Sequence, residues 1–168
     1  MLTLTRSASD ASTADLVGPR SDLVSELIAA YWHEIETVSN HVASSTNRDG
    51  INGGRIARSV REAVASDLEH AQQVAVRIRR LHAPAPSRGE FVTRQPRLRP
   101  PAEPLDTFSL LSGLIEAETA AIKRYRRIAA AASEAHDWVT RDLTKRIIRE
   151  KEIHRQSLGS LLPSEQQS

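Results

Sequence analysis

Apolar residues recur at three- and four-residue intervals along four stretches of this chain, and polar side chains interrupt each stripe at one level. That period belongs to an α-helix with one face turned to a core. The first stripe reads Leu27, Tyr31, Glu34, Val38, His41, and the second Ile56, Val60, Ala63, Asp67, His70, Val74, Ile78. The third reads Phe108, Leu111, Ile115, Glu118, Ile122, Tyr125, and the fourth Leu143, Ile147, Lys151, His154, Leu158, Leu161. Proline breaks helix interiors. Six of the eight prolines fall between Pro84 and Pro104, and the other two are Pro19 and Pro163. Residues 20–83 and 105–162 can therefore each be a helical hairpin. In the first, Asn47 to Gly50 and Gly53-Gly54 mark a turn. The pattern predicts helices over about 21–45, 54–82, 106–133 and 137–162. Ser21 or Asp22, Asp106 or Thr107, and Asp137 are the predicted N-caps. Residues 84–104 read as a proline-rich crossover, residues 1–20 as a disordered tail, and residues 163–168 as a short second tail. Two antiparallel hairpins joined by one long connection make an all-α four-helix bundle.

The interruptions repeat. Glu34 is followed by Asp67-x-x-His70, and Glu118 by Lys151-x-x-His154. The intervals from Glu34 to Glu118, from Asp67 to Lys151 and from His70 to His154 are identical. Height along the bundle follows from distance to the turns. Glu34 stands as far before Gly50 as Asp67 stands after it, to within one position. Glu118 and Lys151 are related in the same way about Ala135. Antiparallel helices rise equally per residue, so the four side chains meet at one level. A buried carboxylate without a partner is costly, and three together raise one another's pKa. Something positive must sit among them. A glutamate from each of two helices and a carboxylate-x-x-His from each of the other two is the ligand pattern of a two-metal site in such a bundle. The i, i+3 spacing puts both ligands on one helix face.

Composition narrows the chemistry. The chain has no cysteine, which excludes disulfides and thiolate metal sites and leaves carboxylate and imidazole as ligands. A formal charge of +2 argues against a dedicated nucleic-acid surface. Arginines cluster at Arg77, Arg79 and Arg80, at Arg94, Arg97 and Arg99, and at Arg124, Arg126 and Arg127, but acidic residues balance them. No apolar run approaches the ~18 residues needed to cross a bilayer. A soluble, cytoplasmic protein without a membrane or nucleic-acid partner is expected.

With these residues in place, the chain resembles the ferritin-like superfamily, in particular its bacterioferritin-like and rubrerythrin-like di-iron carboxylate proteins. The resemblance spans about 21–162 and rests on Glu34 in WHEIETVSNHV, Asp67 and His70 in SDLEHAQQVAVRI, Glu118 in IEAETAAI and His154 in IIREKEIHRQ. EAHDWVTRDL also resembles the junction between the third and fourth helices of bacterioferritins. The resemblance implies non-haem iron, one or two ions, with manganese or zinc as alternatives. It implies oxidation of ferrous iron by dioxygen or peroxide, iron handling or peroxide detoxification. Glu34 and Glu118 would be terminal ligands, Asp67 the bridge, and His70 and His154 the imidazole ligands. Bacterioferritin haem is held by methionine, and Met1 is the only methionine here, so no haem is expected. The stretch from Arg155 to Ser168 is mostly needed to finish the fourth helix. That leaves no room for the fifth helix of large cages, and a homodimer or small homo-oligomer is expected.

Lys151 departs from the family, which has a bridging glutamate there. Counting Glu34, Asp67, Glu118 and a charged Lys151 leaves a net charge of −2, which matches one divalent ion. Three arrangements stay open. Lys151 turns inward, pairs with Glu118 and its neighbours, and leaves one metal at Glu34, Asp67 and His70. Alternatively Lys151 snorkels outward and Glu150, on the same helix face as His154, replaces it as ligand. In the third, no metal binds and a degenerate, non-catalytic bundle serves a structural, interaction or stress role. His41 and Tyr125 follow Glu34 and Glu118 at one common spacing, where many relatives carry tyrosine. Each reads as a residue beside the metals or as an amphipathic residue satisfied in the core. His33, Glu36, Glu69 and Glu116 read as surface residues, and His82 and His136 as exposed helix-end residues.

Overall fold

The computed structural model describes residues 19–45, 53–86 and 106–162. Four helices occupy most of them: α1 (Pro19–Ser45), α2 (Gly53–Arg80), α3 (Thr107–Glu134) and α4 (Trp138–Gly159). The predicted turn at Asn47 to Gly50, most of both tails and of the crossover, and Arg94, Arg97 and Arg99 lie outside the described residues. The fold is an all-α four-helix bundle, with α1 packed on α2 and α3, and α4 on α3 and α2.

Local chemistry sets the helix ends. Asp106 caps α3 by accepting the amide of Ser109 at 2.9 Å, and Asp137 caps α4 by accepting that of Thr140 at 3.0 Å. At α1 the expectation of a cap at Ser21 or Asp22 is corrected, because the helix begins at Pro19. Proline suits the first helical position, where its missing N–H has no intrahelical partner to lose. Asp22 instead sits in the first turn, where a negative charge favours the helix dipole. α4 stops at Gly159, short of the predicted Leu162. Its last residues close in short turns, Leu161 N–H to the Leu158 carbonyl and Leu162 N–H to that of Gly159. His82 and His136 lie just beyond α2 and α3 with φ of 60° and 53°, the left-handed conformation that ends many helices.

Two apolar clusters fill the bundle, one towards each end. Leu23, Leu27, Val74, Ile78, Ile128 and Ile147 pack in one; Ile56, Val60, Leu110, Leu111, Leu114 and Leu158 pack in the other. On α2, α3 and α4 the polar interruption falls between them, so the candidate site is a buried polar layer between two hydrophobic plugs. The third stripe is wider than the predicted one: Leu110 and Leu114 are buried alongside Leu111, Glu118, Ile122 and Tyr125, while Phe108 is exposed.

One tie fixes α4 against α2. Arg77 donates from Nη2 to both oxygens of Asp137 at 2.7 Å and from Nε to Thr140 Oγ1 at 2.7 Å. Burial raises the Asp137 pKa, but bonds from Arg77 and Thr140 outweigh it and hold the carboxyl below its usual range. Asp137→Ala is expected to destabilise the protein by about 1–2 kcal/mol, the worth of a cap, as read by urea unfolding. A depressed carboxyl stabilises above its unfolded pKa and stops doing so as pH falls through the folded one. The difference between variant and parent should therefore shrink in acid.

Candidate metal centre

Helical side chains lean towards the N-terminus of their own helix. Because α1 and α2 are antiparallel, His41 leans back towards the level of Glu34 while His70 leans back towards Asp67 from the opposite side. α3 and α4 bring Glu118, Lys151 and His154 to the same layer. Glu34, Asp67, His70, Glu118, Lys151, His41 and Tyr125 are all at most 2% exposed. The side chain of His154 is half-buried and that of Glu150 is exposed.

Lys151 points inward. Its Nζ donates to Asp67 Oδ1 at 2.8 Å and Glu34 Oε2 at 2.9 Å, and lies 3.7 Å from Glu118 Oε2. The snorkelling arrangement is thereby corrected: the ammonium gains more from three buried carboxylates than from solvent, and its side chain is 2% exposed. Burial lowers the Lys151 pKa, but Glu34, Asp67 and Glu118 outweigh it and raise it. The two closest carboxylates respond oppositely. Burial pushes Glu34 up to about 8 against the pull of Lys151, and the charge of Asp67 adds to the rise. Burial also raises Asp67, but Lys151 and His41 outweigh it and hold that carboxyl well below its usual range. Burial and the Asp67 charge thus favour a proton on Glu34, while Lys151 and His41 favour the charge on Asp67.

Glu150 is the second departure. It does not turn towards His154 but across to α2, where its Oε2 accepts from His70 Nε2 at 2.7 Å. One residue along a helix turns a side chain by about 100°, so Lys151 facing inward leaves Glu150 facing α2. A carboxylate at Nε2 fixes the proton there and leaves the lone pair on Nδ1. That Nδ1 is buried without a hydrogen-bond partner and lies 3.9 Å from Asp67 Oδ1. Burial and the nearby ammonium lower the His70 pKa, which favours the neutral ring.

The other half of the layer is closed on itself. His154 Nδ1 donates to Glu118 Oε1 at 2.6 Å. Burial lowers the His154 pKa, but this bond and the Glu118 charge outweigh it and raise it. Tyr125 is fully buried beside Glu34; burial, the Glu34 charge and the contact of its hydroxyl with Glu34 push its ionisation well above the usual range.

His33 and Glu36, read from the sequence as surface residues, are 8% and 5% exposed. α1 is covered on two sides, by α2 and by α3, so a wider arc of it is buried than one stripe suggests. Burial, with Arg124 and Lys151 nearby, lowers His33 to about 4. Glu69 and Glu116 are exposed as expected.

The donor set fits a divalent metal. Glu34, Asp67 and His70 each offer one ligand atom, and these lie within 4.8 Å of one another. Lys151 engages only one oxygen of each carboxylate. Glu34 Oε1, Asp67 Oδ2 and His70 Nδ1 stay buried and unpaired. Unpaired buried acceptors cost free energy, and a cation among them removes that cost. Two carboxylates and an imidazole suit iron, manganese or zinc.

A buried carboxylate and histidine layer at mid-height of four helices is the arrangement that metal-carboxylate bundle proteins use. The chain belongs to the ferritin-like family, whose domain model matches residues 33–166. Solved structures agree. A dodecameric thioferritin, the bacterioferritin-related protein of Bacteroides fragilis, is 25% identical with a TM-score of 0.72, covering 84% of each chain. The Dps protein of Vibrio cholerae O1, from a superfamily of ferritin-like diiron-carboxylate proteins, is 21% identical with a TM-score of 0.78, covering 92% of this chain and 100% of its own. Desulfovibrio desulfuricans bacterioferritin, which has a diiron site, is 20% identical with a TM-score of 0.70, covering 85% of this chain and 79% of its own. No curated protein matches the sequence. Among the described residues, no helix is long and apolar enough to cross a membrane.

Proposed function

We propose that this protein handles iron by binding one ferrous ion per chain at Glu34, Asp67 and His70, and that dioxygen or peroxide oxidises the bound ion. The carrying observation is that Glu34, Asp67 and His70 each offer a ligand atom within 4.8 Å of one another, while each also has a buried side-chain atom without a hydrogen bond. Lys151 takes the place of a second metal. It supplies one positive charge and bonds only one oxygen of Glu34 and one of Asp67. Glu118 and His154, ligands in a two-metal site, are occupied with each other. One ferrous ion supplies one electron, so each chain delivers electrons singly. Manganese and zinc suit the same donors. By likeness to the dodecameric thioferritin, the chain assembles into an oligomer; a cytoplasmic place of work belongs to the same proposal.

A second reading has its own support. The ammonium of Lys151 already neutralises part of the carboxylate charge, which is what a non-catalytic bundle would need. Anaerobic ferrous titration followed by air or peroxide separates the two. The proposed function predicts one iron per chain and a rise in ferric absorbance in the near ultraviolet. Protein that takes up no iron and shows no absorbance change would leave the non-catalytic reading.

A further inference from the structure

His41 stands opposite His70 across Asp67. It is 1% exposed, and neither ring nitrogen has a hydrogen-bond partner. A neutral imidazole carries one N–H and one lone pair, so burying both unpaired is costly at each end. Its Nδ1 lies 3.4 Å from Asp67 Oδ2, which is itself unpaired. A hydrogen bond between them would close to about 2.9 Å. Two adjacent ligands of one ion, each about 2.0–2.2 Å from it, stand roughly 3–3.5 Å apart. The 3.4 Å gap is longer than a hydrogen bond of ordinary length, falls at an ion-pair distance, and lies within the span of two ligands of one ion.

We propose that His41 is a fourth ligand of the metal, giving a mononuclear site of two histidines and two carboxylates with the Lys151 ammonium against its other side. This rests on the single-metal reading above and adds a residue to it. Asp67 would serve the metal with Oδ2 and the ammonium with Oδ1, bridging the two charges as it would bridge two metals. The donor set carries more nitrogen than two carboxylates and one imidazole. It therefore tilts the site away from magnesium and calcium and towards iron, manganese and zinc.

The probe is manganese(II) added to the metal-free full chain. Equilibrium dialysis gives affinity and stoichiometry, and pulsed electron paramagnetic resonance counts coordinated imidazole nitrogens. The parent should bind one ion with two imidazoles. His41→Ala should bind at least about tenfold more weakly, show one imidazole, and regain a second on addition of free imidazole. His41→Phe, which keeps the core filled, should show the same loss without rescue. One imidazole in the parent, or two retained in His41→Ala, would overturn the assignment while leaving the single-metal reading intact. A parent that binds no manganese and no iron would overturn both.

Discussion

Replacing Lys151 by methionine is expected to destabilise the metal-free protein by roughly 3–5 kcal/mol, and a divalent cation is expected to restore much of that loss. The ammonium is fully enclosed and donates to Glu34 and Asp67 at 2.9 and 2.8 Å. Removing one member of a buried ion pair leaves the other charged and unsolvated, which is why such substitutions cost more than exchange of the whole pair. Methionine keeps the volume and the apolar stem, so the loss reports the charge and not a cavity. Asp67 bears the consequence, because it is the carboxylate held ionised at neutral pH. Urea unfolding at pH 7, with chelator and then with manganese, makes the measurement. A variant as stable as the parent in chelator would show that the ammonium contributes nothing net. Lys151→Glu carries the companion expectation. It returns a carboxylate to the position that the repeat pairs with Asp67, and it removes the ammonium beside Glu118, so that a second ion can compete with the bond between Glu118 and His154. Manganese stoichiometry should then rise from one to two per chain.

Much of this layer could be read from spacing alone. The constant interval between the two halves of the repeat places Glu34, Asp67, Glu118 and Lys151 at one height because rise per residue is fixed, and all four prove buried together. Asp106 and Asp137 were legible as caps because their side chains do a job that few other residue types do. What spacing could not supply was rotation and competition. A helical stripe gives the centre of a buried face and not its width, so His33 and Glu36 were missed on a helix covered from two directions. Whether Lys151 turned in or out depended on a balance between desolvation and three carboxylates, and only their actual distances decide it. The bond from His70 to Glu150 joins two different helices. Its one sequence signal was adjacency to Lys151: with that residue inward, its neighbour had to face α2.

Metal affinity should climb about tenfold per pH unit from pH 6 to near 8 and then level off. Glu34 sets the window. Burial, opposed by Lys151 and reinforced by Asp67, moves its carboxyl from 4.5 up to about 8. At pH 7 it therefore holds a proton that an incoming cation must expel. Burial lowers the His70 pKa, which disfavours a second proton there, and Asp67 is held below the usual carboxylate range. The metal-free protein shows the same shift as stability. A carboxyl whose folded pKa is raised stabilises below its unfolded value, and that contribution is lost as pH rises through the folded one. For Glu34 the loss runs from about 4.5 to about 8, so the cluster is most strained where it is most ready for a cation. Titration calorimetry with manganese at pH 6, 7 and 8, repeated in buffers of different ionisation enthalpy, reads affinity and proton release together. Close to one proton should leave per ion at pH 7 and few at pH 9. Glu34→Gln removes the titrating group and should bind more weakly with a flat profile across this window. An affinity in the parent that does not change between pH 6 and 8 would mean that Glu34 is not the gatekeeping ligand, and that the cation meets the cluster through Asp67 and the histidines alone.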